Sequence, residues 1–486
     1  MYQKSEEIFD FRSSYLVLGS GLSAISVISG IIDNDSRNKI YVIDAGITEK
    51  NHSNIDETYK EKEINIPSPK FITKKNKFAY DYFRKLNKIN QENFIPIGSL
   101  AKGGLSNIWG ATIQPYNNLE LEEYPYKSDN KLNIIYLKIL DILRGYKSNL
   151  KEIDKLLETS ITSFITGKPI LAINETNSNK KSCSLNSCDI GCINCNREIF
   201  NSRYLLDKLI SSKKIEYFNN FFIKKILKNG EDYYLECVNL KTNKNFRIIG
   251  DKIFCSLGVL ATSKIVIDMH KNENELPLLT TPGGAVILFS TKNSYDSSLK
   301  VLSNKSFSGK KAEVTFNGNI FPFSKNLLAM YFGNAIAEML FFIFGKFLFS
   351  KIYIANIYFA SEFSDTKIVK NSDGIKIIAS DNNNFSKVFK SCINLLRIGL
   401  KKDNFFIIPF MYKIFKPGSD IHYAGSLPMK KYPKDLECDE FGELKGFKNF
   451  FISDASSMPN LPGKGHSFNM MVNSYYIGMK NVFKNN

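Results

Sequence analysis

The sequence predicts an α/β protein, α+β overall, in which a Rossmann-like domain is assembled from stretches far apart in the chain and joined to a domain rich in β-sheet. Three observations predict it. An apolar run near residue 15 breaks into a glycine turn and then a helix-like segment, a second turn of the same kind begins at Gly258, and residues 286–415 are rich in β-branched and aromatic side chains without any such turn. At 486 residues the chain also exceeds one compact core, since domains run to roughly 100 to 200 residues.

Taken in order, SYLVL at 14–18 reads as a buried strand, GSGLSA at 19–24 as the turn, and 25–32 as the body of a helix. The next apolar run, 40–43, ends at Asp44, twenty residues after Ala24. That spacing completes a βαβ unit: Gly19 permits the tight turn, Gly21 lets backbone approach a pyrophosphate, Ala24 allows close helix packing, and Asp44 meets a ribose. Residues 50–95 are polar and read as loop and surface helix. GSLAKGGLSNIWGA at 98–111 holds the chain's single tryptophan, Trp109, in a glycine density that implies backbone packed against something flat or phosphorylated. Short apolar and alternating runs over 215–257 predict strands, and GVLATS at 258–263 opens a helix to about Met269.

These readings divide the chain into a dinucleotide-binding domain made of 10–125, 196–285 and 416–486, a substrate domain at 286–415, and a connecting insertion at 126–195. Within the substrate domain, 327–349 is strongly apolar but contains Glu338 and Lys346. Each charge costs roughly 2.5 to 3.5 kcal/mol in a bilayer centre, so a spanning helix is not expected. An interfacial helix, a lid over an apolar substrate, or a buried core helix are the open alternatives.

Lys and Arg outnumber Asp and Glu by 65 to 48, a net charge of +17, which favours an anionic partner or surface. The basic residues are scattered in short clusters such as Lys74-Lys75 and Lys310-Lys311, so nucleic acid is not expected. Peripheral contact with the inner face of a membrane stays open. The opening MYQKSEEIFDFR lacks an apolar secretory core, which predicts a cytoplasmic protein. Of eight cysteines, Cys183, Cys188, Cys192 and Cys195 lie within 13 residues, a density suited to an iron–sulfur cluster, to zinc or to a structural loop.

Only four histidines occur, and two of them, His422 and His466, sit in Gly/Pro-rich sequence. A neutral imidazole beside a redox cofactor can take the proton of a hydroxyl at physiological pH. HYAGSLPM at 422–429 resembles the H-x-x-G-[TS]-x-x-M element of the glucose-methanol-choline oxidoreductases, and ISDASSMP at 452–459 is similar to their flavin-contacting D-x-S-x-x-P strand. GHSFN at 465–469 follows at the family's spacing, and the two glycine turns and GGLSN at 103–107 occur in family order.

The resemblance implies FAD and oxidation of an alcohol C–H, with His422 as base and His466 holding the hydroxyl, or the reverse. It implies cofactor contacts from Gly19, Gly21, Ala24, Asp44, Gly103, Gly104, Ser106, Asn107, Gly258, Asp454 and Ala455. Family members that tether FAD through histidine carry it beside the glycine-rich stretch; this chain has Asn107-Ile108-Trp109 there, so dissociable FAD is expected. Some similar dehydrogenases carry an iron–sulfur cluster in an insertion near the cysteine cluster's place, passing electrons to an acceptor that the sequence does not identify. The expected substrate is an alcohol, such as a sugar, free or nucleotide- or lipid-linked. A redox-neutral epimerase or mutase, and a membrane-surface protein with a degenerate FAD fold, are the alternatives.

Overall fold

A computed structural model describes residues 7–35, 37–48, 81–128, 131–145, 164–173, 199–270, 274–291, 305–322, 351–380 and 383–483, with isolated positions between 335 and 343. Its centre is a five-stranded parallel sheet, in the order Phe450–Ile452, Ile253–Cys255, Tyr15–Leu18, Ile40–Ile43, Glu216–Phe218. All of these strands but the edge strand Glu216–Phe218 are buried along their whole length, as parallel strands covered on both faces must be, and their sequences YLVL, IFC, IYVI and FFI are correspondingly free of charge. Helices Leu22–Asn34 and Ser467–Lys480 pack on each other so closely that a Cβ on Gly30 would stand 2.3 Å from the Tyr475 carbonyl, and one on Gly478 2.3 Å from that of Val27. Small residues at this crossing let two backbones touch.

The short strands expected over 215–257 are present. Phe221–Asn229, Asp232–Asn239 and Asn245–Gly250 form an antiparallel meander, whose outer strand also pairs in parallel with Glu7–Asp10. The helix after Gly258 runs Val259–Met269.

The β-rich part is a six-stranded antiparallel sheet in the order Phe405–Ile414, Gly283–Ser290, Ile352–Phe359, Val314–Pro322, Lys305–Lys311, Phe164–Gly167. Two features depart from the sequence expectation. A 19-residue helix, Asn383–Lys401, lies inside the stretch read as sheet; its Phe385, Phe389, Cys392, Leu396 and Leu400 recur at helical spacing and join Phe316, Tyr353 and Phe359 of the sheet in one core. Residues Ile89–Glu92, read as loop, form a strand beside Gly374–Ser380 because their edge completes a small separate sheet.

Among the described positions of the apolar 327–349 segment, Ile336, Met339, Phe342 and Ile343 are helical and exposed, Phe342 by 91%. The buried-core alternative therefore does not hold at these positions. No described helix is long and apolar enough to cross a membrane. The cysteine cluster lies outside the described residues, and among those described no group of His, Cys, Asp or Glu is arranged to hold a metal ion.

Candidate active site

One elongated pocket runs from the carboxyl ends of the parallel strands, at Gly19 and Asp44, to the wall of the antiparallel sheet, at Asn319, Asn356 and Tyr358. That is where an open parallel sheet offers a crevice to a ligand. Every glycine-rich element that the sequence singles out converges on it.

The first turn is built as the spacing requires. Gly19 has φ +99°, and a Cβ there would meet the Ser256 carbonyl oxygen at 2.5 Å, so the position needs glycine on two counts. Gly21 precedes helix Leu22–Asn34, which has no capping side chain and no acidic residue in its first turn, leaving its N–H groups directed to the pocket. Gly104, at φ +58°, faces it: a Cβ on Gly104 would lie 3.0 Å from the Gly21 Cα. Two glycine backbones thus form one floor. Ser20 ties the loops together, accepting a 2.9 Å bond from Gly103 N–H while its hydroxyl donates to Asp44.

Asp44 also accepts from Tyr217 at 2.8 Å, and burial pushes its carboxyl up to about 6 despite these bonds. Gly103, Ala24 and Asn107 stand behind the wall. Ala24 is fully buried in its helix, and Asn107 donates to the Lys102 and Gly104 carbonyls while its Oδ1 accepts from Asn201. Ser106 lines the pocket and donates to the Gly103 carbonyl, so these residues shape the floor that Gly104 and Ser106 present. Asp454 joins two distant turns: its carboxylate accepts from Gly258 N–H at 2.8 Å, from Thr262 Oγ1 at 2.5 Å and from Ser456 N–H at 2.9 Å. Asp454, Ala455 and Gly258 all line the pocket. Burial raises the Asp454 carboxyl above its ordinary value.

At the other end, His422 and His466 come together with ring centroids 5.4 Å apart and nearly perpendicular. His466 is the residue before helix Ser467–Lys480 and is 92% buried, being 8% exposed, and its Nδ1 has no hydrogen-bond partner. Burial lowers His466 to about 4; burial first, and then the neighbouring His466, lowers His422 to about 3. Both rings are therefore neutral at physiological pH and able to accept a proton.

Sequence reasoning missed the groups around them. Thr281 Oγ1 lies 3.1 Å from His422 Nδ1 and donates to Asp420, whose Oδ2 is itself 3.5 Å from that Nδ1. The Tyr358 ring sits 5.1 Å from that of His422, and Gln114, Asn319 and Asn356 add neutral amides to the wall. Asp420, two residues before His422, was within reach of a sequence pattern; Thr281 and Tyr358 were not.

The pocket's groups fit a dinucleotide: an uncapped helix start over two bare glycine backbones for phosphates, a buried carboxylate beyond it, and a partnerless imidazole nitrogen at the far end. Neither protein-family models nor curated protein sequences match the chain. Solved structures do match it. Pyridoxine 4-oxidase from Mesorbium loti superposes with a TM-score of 0.60 at 11% identity, covering 96% of this chain and 99% of its own. A formate oxidase from Aspergillus oryzae RIB40, described for the modification of its FAD, superposes with a TM-score of 0.62 at 12% identity, covering 98% of each chain. Over nearly its whole length the chain shares the fold of these two oxidases, the fold that its resemblance to the glucose-methanol-choline oxidoreductases implied.

Proposed function

We propose that the protein binds FAD in this pocket and oxidises a CH–OH group of a neutral alcohol, a sugar or a related polyol being the favoured class. The carrying observation is the pair of neutral imidazoles, His466 buried and His422 partly buried, at the end of a pocket whose other end is a dinucleotide cradle. FAD, when bound, supplies a two-electron acceptor for the hydride leaving the alcohol carbon. The adenosine side falls to Asp44, the pyrophosphate to the backbone around Gly21 and Gly104, and the ring system to the Gly258, Asp454 and Ala455 region. The absence of a histidine beside Gly104 favours dissociable cofactor.

His422 accepts the hydroxyl proton, and His466, with its unpartnered Nδ1, positions the hydroxyl oxygen. Gln114, Asn319, Asn356 and Tyr358 offer the neutral hydrogen-bonding wall that a polyhydroxylated molecule needs. Among the described pocket residues the only charged side chains are the carboxylates Asp44, Asp420 and Asp454, which favours a neutral substrate over a phosphorylated one.

The test is the visible spectrum of anaerobically purified protein before and after addition of candidate alcohols and sugars. Flavin absorbance that bleaches on addition is expected, with the rate of bleaching cut about 100- to 10,000-fold in His422→Ala. Colourless protein, or flavin that no alcohol reduces, would overturn the reading; a turnover of sugar with no net reduction would replace it with an epimerase or mutase.

A further inference from the structure

Asp420 and Thr281 are placed on His422 from two separate segments, and a count of protons orders the contact. A threonine hydroxyl has one proton, and the Thr281 hydroxyl gives its proton to the Asp420 carboxylate. Its oxygen, 3.1 Å from His422 Nδ1, can then only accept, so Nδ1 must carry the ring's hydrogen and Nε2 must carry the lone pair. The backbone reinforces the arrangement. Ile421, between the two acting residues, has φ +64°, a conformation that a β-branched side chain rarely adopts, and Gly418 at φ +83° begins the same bend.

Resting on the alcohol-oxidation reading, we propose that Asp420 and Thr281 are positioning residues that hold His422 as the Nδ1–H tautomer and so present Nε2 as the base. In the step that follows, the substrate O–H bond would break as an Nε2–H bond forms, and the electron pair left on oxygen would close a C=O bond as hydride leaves that carbon for the two-electron acceptor that bound FAD supplies. The imidazolium so formed is stabilised by Asp420, 3.5 Å from Nδ1 directly and linked through Thr281.

The relay has a pH-dependent direction. Burial pushes Asp420 up to about 7. Once protonated, Asp420 has no need of the threonine proton and can donate to the Thr281 oxygen; the threonine then donates to Nδ1, and the hydrogen of the ring moves to Nε2. The titratable groups facing this pair are few: Tyr358, from strand Ile352–Phe359, faces Asp420 and His422, and burial holds it neutral, while His466 faces His422 and is itself neutral above about 4. The step near neutral pH therefore belongs to Asp420.

The chain's four histidines make the tautomer directly readable. In protein labelled with ¹⁵N-histidine and carrying its cofactor as isolated, the His422 signals, identified by their loss in His422→Gln, should report Nδ1–H at pH 8.5 and move towards Nε2–H by pH 5.5. In Asp420→Asn the pH-driven change should vanish. Thr281→Val should lower the maximal rate of flavin reduction at least tenfold with little change in the substrate concentration for half-saturation, and Thr281→Ser should restore it. An Nε2–H ring at pH 8.5, or a pH step that survives in Asp420→Asn, would overturn the relay. The tautomer is measured without turnover, so protein that shows the step but oxidises no alcohol would refute the assigned reaction and leave the relay standing.

Discussion

Removing the buried imidazole of His466 should change how the protein's stability responds to acid. Both histidines have folded-state values below the ordinary 6.5, about 3 for His422 and about 4 for His466. The unfolded chain therefore binds protons that the folded protein refuses, and stability falls as pH drops below 6.5. At pH 5.5, one unit below the unfolded value, each ring costs about 1.4 kcal/mol relative to pH 8, since a unit of titration is worth about 1.36 kcal/mol. The figure depends little on the folded values, because both lie well under 5.5. Asp44 and Asp420, raised to about 6 and 7, act in the opposite sense, stabilising the fold as pH falls through these values towards 3.8, so total stability is a poor readout. The difference between parent and variant isolates the ring. Urea unfolding of the parent and of His466→Gln at pH 8 and 5.5 should show the variant losing about 1.4 kcal/mol less on acidification. Equal losses in the two proteins would mean that His466 titrates normally and is not the buried neutral acceptor described above.

Gly104→Ala should lose bound flavin and stability together, by about 1 to 2 kcal/mol, because the new methyl group enters both a left-handed conformation and the Gly21 backbone; absorbance of the purified variant and its melting temperature check this. Asp454→Ala leaves Gly258 N–H, Ser456 N–H and the Thr262 hydroxyl without their acceptor and should destabilise by roughly 3 kcal/mol or more, measured by chemical unfolding.

What was legible in the sequence was local. Gly19 and Gly258 announce their turns because backbone torsion and close approach are requirements of single positions, and the strands beside them are short runs with uniform burial. The Asn383–Lys401 helix carries its own signal, since Phe385, Phe389, Cys392, Ile393, Leu396 and Leu400 recur at helical spacing, but the β-branched and aromatic composition of 286–415 as a whole masks that local period. His422 and His466 were found through their flanking motifs, and Asp420 lay two residues from one of them, but Thr281 and Tyr358 could not be found that way. Thr281 reaches Asp420 across 139 positions of chain, and nothing in TTPGG at 280–284 marks a residue that orients an imidazole. Gly103 and Asn107 show the converse: a motif names a neighbourhood, and only packing separates the residues that face the ligand from those that brace them.

The parallel sheet has a consequence for synthesis. Its strand Ile253–Cys255 is flanked on one side by Tyr15–Leu18 and on the other by Phe450–Ile452. A chain leaving the ribosome in order can pair the first two only after some 250 residues have emerged, and must wait for about 200 more to cover the exposed edge. During that interval Phe254, destined to stack on Phe451, stands at an open strand of a growing polypeptide. Chaperone dependence during translation, and insolubility of fragments that stop short of residue 450, are the expected physiological cost of drawing one sheet from such distant parts of the sequence.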